Sequence, residues 1–284
     1  MRVNEKCAEC LWDKQHHRSE DPEFLSEIRQ IIDNRKETDS APYLVYLFHQ
    51  AYQRRFGSLN SYQKIKREYN DLVLSMEDKI REKINSAADP IAASLAYARA
   101  GNYIDFGAMN HVSGETLLSL LDSARLEERD IPVYHSFTEQ CRNAKSFLLV
   151  ADNCGEIVLD KLFLEQLHSV FPQLKITVMV RGAEVLNDVT AEDAEYTSVD
   201  KIAEIISNGS SVAGTVYEML PDNAKKALDT ADVILSKGQG NYETLSGQGR
   251  HIFYALLCKC DLFTSRFNVP KLTGIFVEDK GQNI

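Results

Sequence analysis

The chain has 284 residues, a formal charge of −10 and an isoelectric point near 5.3, which argues against a binder of nucleic acid or of an anionic membrane surface. Hydrophobic residues make up 44%, enough for a sizeable core and too many for a chain disordered throughout. No apolar run reaches the roughly 18 residues of a membrane span, and the opening MRVNEKCAEC lacks a signal-peptide core, so the expectation is a cytoplasmic protein whose six cysteines are reduced.

Residues 1–125 read as a helical region that caps the remainder, and residues 126–284 as an α/β core, the two packed as one unit. Amphipathic segments follow Cys7 and Cys10 at 22–34 and 42–56. A third runs from 62 to about 86, with Ile65, Tyr69, Leu72, Met76, Ile80 and Ile84 at intervals of three and four. Asp89 and Pro90 restart a helix as cap and first residue, and it ends near Gly101 and Asn102. A further helix opens at Ser113 or its neighbour.

From Phe147 the texture changes to short apolar runs alternating with helical stretches. Strands are expected at 147–151, 175–180, 233–236, 251–257 and 274–277, with a weaker candidate at 211–216. Helices are expected at 157–170, 199–207 and 221–230. Such alternation predicts a three-layer α/β/α sandwich with a mostly parallel sheet.

The chemistry gathers at strand ends. The run at 147–151 is followed by Asp152, Asn153, Gly155 and Glu156, and the strand at 175–180 by Arg181, Asn187 and Asp188. After 233–236 come Lys237, Gly238, Gly240, Asn241 and Glu243. In a parallel sheet these turns emerge on one edge, so Asp152, Asn153 and Asp188 would form an oxygen-rich site suited to a hard divalent cation. Lys237 and the N–H groups of its glycine-rich turn would face an anion beside it. Each piece also has a plain structural explanation. Asp188 could cap the next helix, the glycine turn could be a simple loop, and Arg181 could form an ordinary surface pair.

Together DNCGEIVLD, VRGAEVLNDVT, KGQGNYETL, the RAGNYIDFG segment at 99–107 and the opening CAEC resemble the DUF89 family of metal-dependent damage-control phosphatases, the ARMT1-like group. The short length and the CxxC are similar to its prokaryotic-type branch. The resemblance implies a helical region packed on an α/β/α sandwich, with the metal held by Asp152, Asn153 and Asp188. It implies phosphate contacts from Lys237 to Asn241, including Gly238 and Gly240, and pocket positions for Asn102 and Asp105. Arg181 and Glu156 complete the expected substrate-binding set. Cys154 stands where the family's pattern suggests a small residue such as alanine.

The activity so implied is hydrolysis of small phosphorylated metabolites, sugar phosphates above all, at a site using Mg, Mn, Co or Ni. Water would attack in line while Lys237 and the turn's N–H groups stabilise the equatorial oxygens, Asp152 serving as ligand and water-orienting group. An aspartyl-phosphate through Asp152 is the less favoured variant. Two alternatives compete with this activity. One is carboxyl methyl transfer, suggested by another label of the group, although the turn after residue 151 lacks a glycine-rich nucleotide fingerprint. The other is a non-catalytic module stabilised by zinc at Cys7 and Cys10, with Cys258 and Cys260 or His16 and His17 as further ligands. His111, His135, His168 and His251 show no ligand spacing, and Trp12 is expected in the core.

Overall fold

The computed structural model describes residues 3–58, 61–105 and 114–281. Among the described residues, eight α-helices precede the first strand: α1 (Glu5–Arg18), α2 (Pro22–Asp33), α3 (Ala41–Phe56), α4 (Gln63–Leu74), α5 (Glu77–Asn85), α6 (Pro90–Gly101), α7 (Gly114–Asp122) and α8 (Ile131–Asn143). Asp21, Ser40 and Asp89 each accept a hydrogen bond from the first turn they cap, and each is followed within two residues by a proline. Cys7 and Cys10 lie inside α1, so the CxxC does not precede the helices as the sequence suggested; it belongs to the first of them. The long segment expected at 62–86 is two helices, broken at Ser75 and Met76. Ser113 and His111 fall outside the described residues.

After these come β1 (Ser146–Val150), α9 (Glu156–Val170), β2 (Lys175–Val180), α10 (Ala191–Tyr196), β3 (Glu204–Ser207), α11 (Asp222–Thr230), β4 (Val233–Lys237), α12 (Gln239–Leu245), β5 (His251–Leu257), α13 (Asp261–Phe267) and β6 (Gly274–Lys280). The six strands form one sheet in the order β3-β2-β1-β4-β5-β6. Every pairing is parallel except that of β5 with β6. The expected strand at 211–216 is a loop, and the stretch expected to be helical at 199–207 contains one short 3-10 turn and then β3. Glu204-Ile-Ile-Ser is too short for its periodicity to separate strand from helix, and its pairing beside β2 decides.

Alternation along the strands sorts the two faces. Phe147, Leu149, Phe253 and Ala255 join a core shared with α5, α6, α8 and α9, whereas Leu148, Val150, Ile252 and Tyr254 join a second core under α11, α12 and α13. The larger core takes Ile80, Leu95 and Leu121 from before residue 125, so it runs across the expected boundary between cap and core. Helices α1 to α3 have a separate small core around Phe24, Ile28, Leu44 and Phe48, with half-buried Trp12 packed against it. Because the chain winds from β1 outward through β2 to β3 and then returns to β4 on the opposite side, the β1/β4 boundary is a switch point. The carboxyl ends of the strands beside that boundary are where open α/β sheets carry their ligand sites.

Candidate active site

Asp152 and Asn153 leave the end of β1, Arg181 the end of β2, Lys237 closes β4, and Lys259 follows β5 by two residues. All five emerge on one edge of the sheet. Asp188 reaches the same place by a return of the chain. The N–H of Val189 donates to Asp152 O at 2.9 Å, that of Cys154 to Asn187 O at 2.8 Å, and that of Arg181 to Val189 O at 2.8 Å. Residues 187–190 thus cross the edge as a short bridge between the β1 and β2 ends, placing Asp188 opposite Asn153. The helix after it is capped by Thr190 with Asp193 in a capping box, so the plain explanation of Asp188 as a cap does not apply.

Two glycines are required by this arrangement. Gly155, at φ +78°, turns the chain from Asn153 into α9, and a Cβ there would stand 2.8 Å from Ile104 Cδ1. Gly238, at φ +80°, lies flat against Asp152; a Cβ would sit 1.9 Å from its Oδ2. Gly238 therefore packs directly on the Asp152 carboxyl, and its N–H is taken up by Ala255 O at 3.2 Å. The turn expected to cradle an anion is the start of the seven-residue α12, with Gly240 packed against Ala213. Asn241 is fully buried, donating to Ala151 O and Lys237 O and accepting from Arg181.

Arg181 is the cation between the acids, not a surface pair. It is 2% exposed; its Nε donates to Asp188 Oδ2 at 2.6 Å, Nη2 to Asp152 Oδ1 at 3.2 Å and Nη1 to Asn241 Oδ1 at 3.0 Å. Burial pushes the Asp188 carboxyl up to about 6 against the pull of Arg181. Burial also drives Asp152 well above the carboxylate range, Asp188 and Glu156 adding to the effect and Arg181 opposing it. Arg181 alone pairs with both Asp152 and Asp188, which leaves that pair of buried acids with a net negative charge.

Lys237 departs from expectation. Its ammonium is fully buried and points beneath the floor, donating to Glu156 Oε1 at 2.7 Å, to Asp160 Oδ1 at 2.5 Å and to Ala98 O at 3.0 Å. Burial pulls its pKa down, but Asp160 and Glu156 more than offset this and hold it above the ordinary lysine value. All three of its donors are used, and two carboxylates in an apolar interior hold it there. Glu156, also expected to meet substrate, has no exposure. Its Oε2 accepts from the amides of Asn102 at 3.0 Å and Asn153 at 3.1 Å. Asn102 also donates to Asp152 Oδ2 at 3.0 Å and accepts from the Leu257 N–H, tying the end of α6 to β5.

Asp105 is half-buried and pairs with Lys259 Nζ at 2.6 Å. Sequence reasoning overlooked Lys259, although the same strand-end logic applied to 251–257 leads straight to it. Asp160 was also missed, because only its position one helical turn beyond Glu156 hints that the two share a partner.

The donor set of Asp152, Asn153 and Asp188 fits a hard cation in chemistry: two carboxylates and an amide oxygen, all buried, with a net negative surplus. Among the described residues no donor reaches Asn153 Oδ1 or Asp188 Oδ1, and no cluster of three His, Cys, Asp or Glu side chains placed to hold a metal occurs. Such a cation would need the Asn153 oxygen. Cys7 and Cys10 likewise belong to no such cluster among the described residues. Cys7 is half-buried, and burial, with Glu243 and Cys260 nearby, pushes its thiol up to about 11. All six cysteines are free; His135, His168 and His251 lie on the surface.

Acids, amides and one buried arginine thus meet at the switch point of an α/β sheet, a candidate polar site at the strand ends. The family model described as the damage-control phosphatase ARMT1-like domain matches residues 2–273, and the chain belongs to that family. A damage-control phosphatase of Archaeoglobus fulgidus is 28% identical over 275 residues, covering 92% of this chain and 93% of the relative. An uncharacterized protein of Methanocaldococcus jannaschii is 31% identical over 218 residues, 74% of this chain and 70% of its own. The crystal structure of a DUF89 family protein from Pyrococcus horikoshii matches with a TM-score of 0.76 across 99% of this chain and 100% of that one. At 21% identity that likeness is one of fold.

Proposed function

We propose that this chain is a phosphomonoesterase that hydrolyses small phosphorylated metabolites, sugar phosphates among them, with a divalent cation held by Asp152, Asn153 and Asp188. The observation that carries this reading is the surplus of buried acid around Arg181, with no donor among the described residues reaching Asn153 Oδ1 or Asp188 Oδ1. The family membership and the names of the relatives support a phosphatase. A cation bound there would neutralise phosphoryl charge and lower the pKa of a bound water, whether Mg, Mn, Co or Ni.

The protein's own residues supply the rest. Arg181 braces Asp152 and Asp188 through their inner oxygens and fixes their spacing. Asp152 accepts from Arg181 on one oxygen and from Asn102 and Asn153 on the other, which suits a ligand better than a nucleophile and favours attack by water. Lys259, paired with Asp105 at the same edge, is a second cation of the strand ends and a candidate phosphoryl contact only where that pair opens. Lys237 we assign to the support of the floor.

The experiment is phosphate release from a panel of sugar phosphates and p-nitrophenyl phosphate, after chelation and after each metal is added back. Asp152→Ala should lower metal-restored turnover by at least about 10²-fold. Near-normal turnover in that variant would sink the reading.

A further inference from the structure

We propose that Glu156 is the positioning residue that orients the Asn153 amide so that its carbonyl oxygen, and not its NH2, is presented to the cation. This rests on the assignment of Asp152, Asn153 and Asp188 as ligands. Asn and Gln side chains carry an oxygen and an NH2 of nearly equal size, so an amide ligand works only if something selects the end facing the metal. Here the selection is visible in the hydrogen bonds. Asn153 Nδ2 donates to Asp152 Oδ2 at 2.7 Å and to Glu156 Oε2 at 3.1 Å, which uses both of its hydrogens. Glu156 Oε2 also receives the Asn153 backbone N–H at 3.3 Å, so the residue is gripped from main chain and side chain together.

Glu156 is itself held in place. Lys237 takes its other oxygen, Oε1, at 2.7 Å, and Asn102 reaches Oε2 at 3.0 Å. The carboxylate sits on the first residue of α9 with no exposure to solvent. Every group that Glu156 touches in these contacts is a donor, so the position demands acceptors on both oxygens. Glu156→Gln keeps the shape and breaks that rule. Its NH2 must face either the Lys237 ammonium or the amides of Asn102 and Asn153, and with donors opposed the Asn153 amide is released to turn.

The test is Mn2+ binding to the whole chain, read from the electron paramagnetic resonance signal of free Mn2+, with the fold of each variant checked by circular dichroism. Glu156→Gln should raise the Mn2+ dissociation constant about tenfold or more, the range for residues that orient a ligand. In an Asn153→Asp background, where both ends of the side chain are oxygen, the same substitution should change it by less than about threefold, because the two residues act as one unit. Asp160→Asn, which meets Lys237 but not Asn153, should leave Mn2+ affinity unchanged. An equal loss in both backgrounds, or unaltered affinity in the single variant, overturns the positioning role while leaving the ligand assignment standing. A wild-type chain that takes up no Mn2+ overturns the ligand assignment and this inference with it.

Discussion

Gly238 and Lys237 show how two adjacent residues do opposite work. Gly238 has no side chain because Asp152 occupies that space, and its φ of +80° disfavours any other residue. Gly238→Ala should therefore cost about 1–3 kcal/mol from backbone strain and push Asp152 out of line. Thermal melting and phosphate release should fall together, and an active, unshifted variant would contradict the packing. Lys237→Met removes the only ammonium between Glu156 and Asp160, and leaving buried acids uncompensated costs about 3–5 kcal/mol. Urea unfolding measures that loss; a variant as stable as wild type would return Lys237 to the role of ligand contact.

Asp160 contributes to the pH dependence of stability, in the same sense as the raised carboxyls of Asp152 and Asp188. Burial lifts its carboxyl to about 7 from an ordinary 3.8, against Lys237, and no partner reaches its Oδ2. The folded state then binds more protons than the unfolded state between those values, so this group's contribution to stability falls as pH rises from about 4 to about 7. Asp160→Asn should make the slope in urea titrations across the window shallower, the remaining slope coming from the other raised carboxyls, and an unchanged slope would contradict the shift. The residue types of this site were legible in the sequence because strand-end acids, amides and glycines stand out. What Lys237 points at was not, since only the packing of α6 and α9 shows that its ammonium is trapped below the candidate site.

At the level of elements, the bridge at 187–190 is the part that local sequence concealed. It has no periodicity and pairs through a few backbone bonds, yet it carries Asp188 to its place. Its anchor is the Thr190–Asp193 capping box, with Lys66 of α4 bound to Asp193 at 2.6 Å. Thr190→Ala should cost about 1 kcal/mol of stability. It should also weaken metal-restored turnover more than it lowers the melting temperature, because the loosened segment holds Asp188. The helices with proline starts and oxygen caps could be read directly. The split at Ser75–Met76 and the strand at Glu204–Ser207 could not, because apolar spacing continues through the first and the second is four residues long.

Across the whole molecule, the shared core of α5 to α9 with one sheet face makes the helical region part of the sandwich. We expect residues 126–284 alone not to fold, because removing α5 and α6 uncovers α9 and strips Asn102 from the site; only α1 to α3 have a core of their own. Sharp amide dispersion in that fragment would contradict this. The sequence anticipated a mostly parallel α/β layer and the meeting of the candidate residues at its strand ends; the depth of the cap's integration depends on long-range packing that no local pattern encodes.

The most direct measurement compares phosphate release by the wild-type chain and by Asp188→Ala, stripped with chelator and resupplied in turn with Mg, Mn, Co and Ni. A cation held by Asp152, Asn153 and Asp188 requires release that the metal restores in wild type and that falls at least about 10²-fold in the variant. Release that survives chelation, or that Asp188→Ala retains, would contradict it.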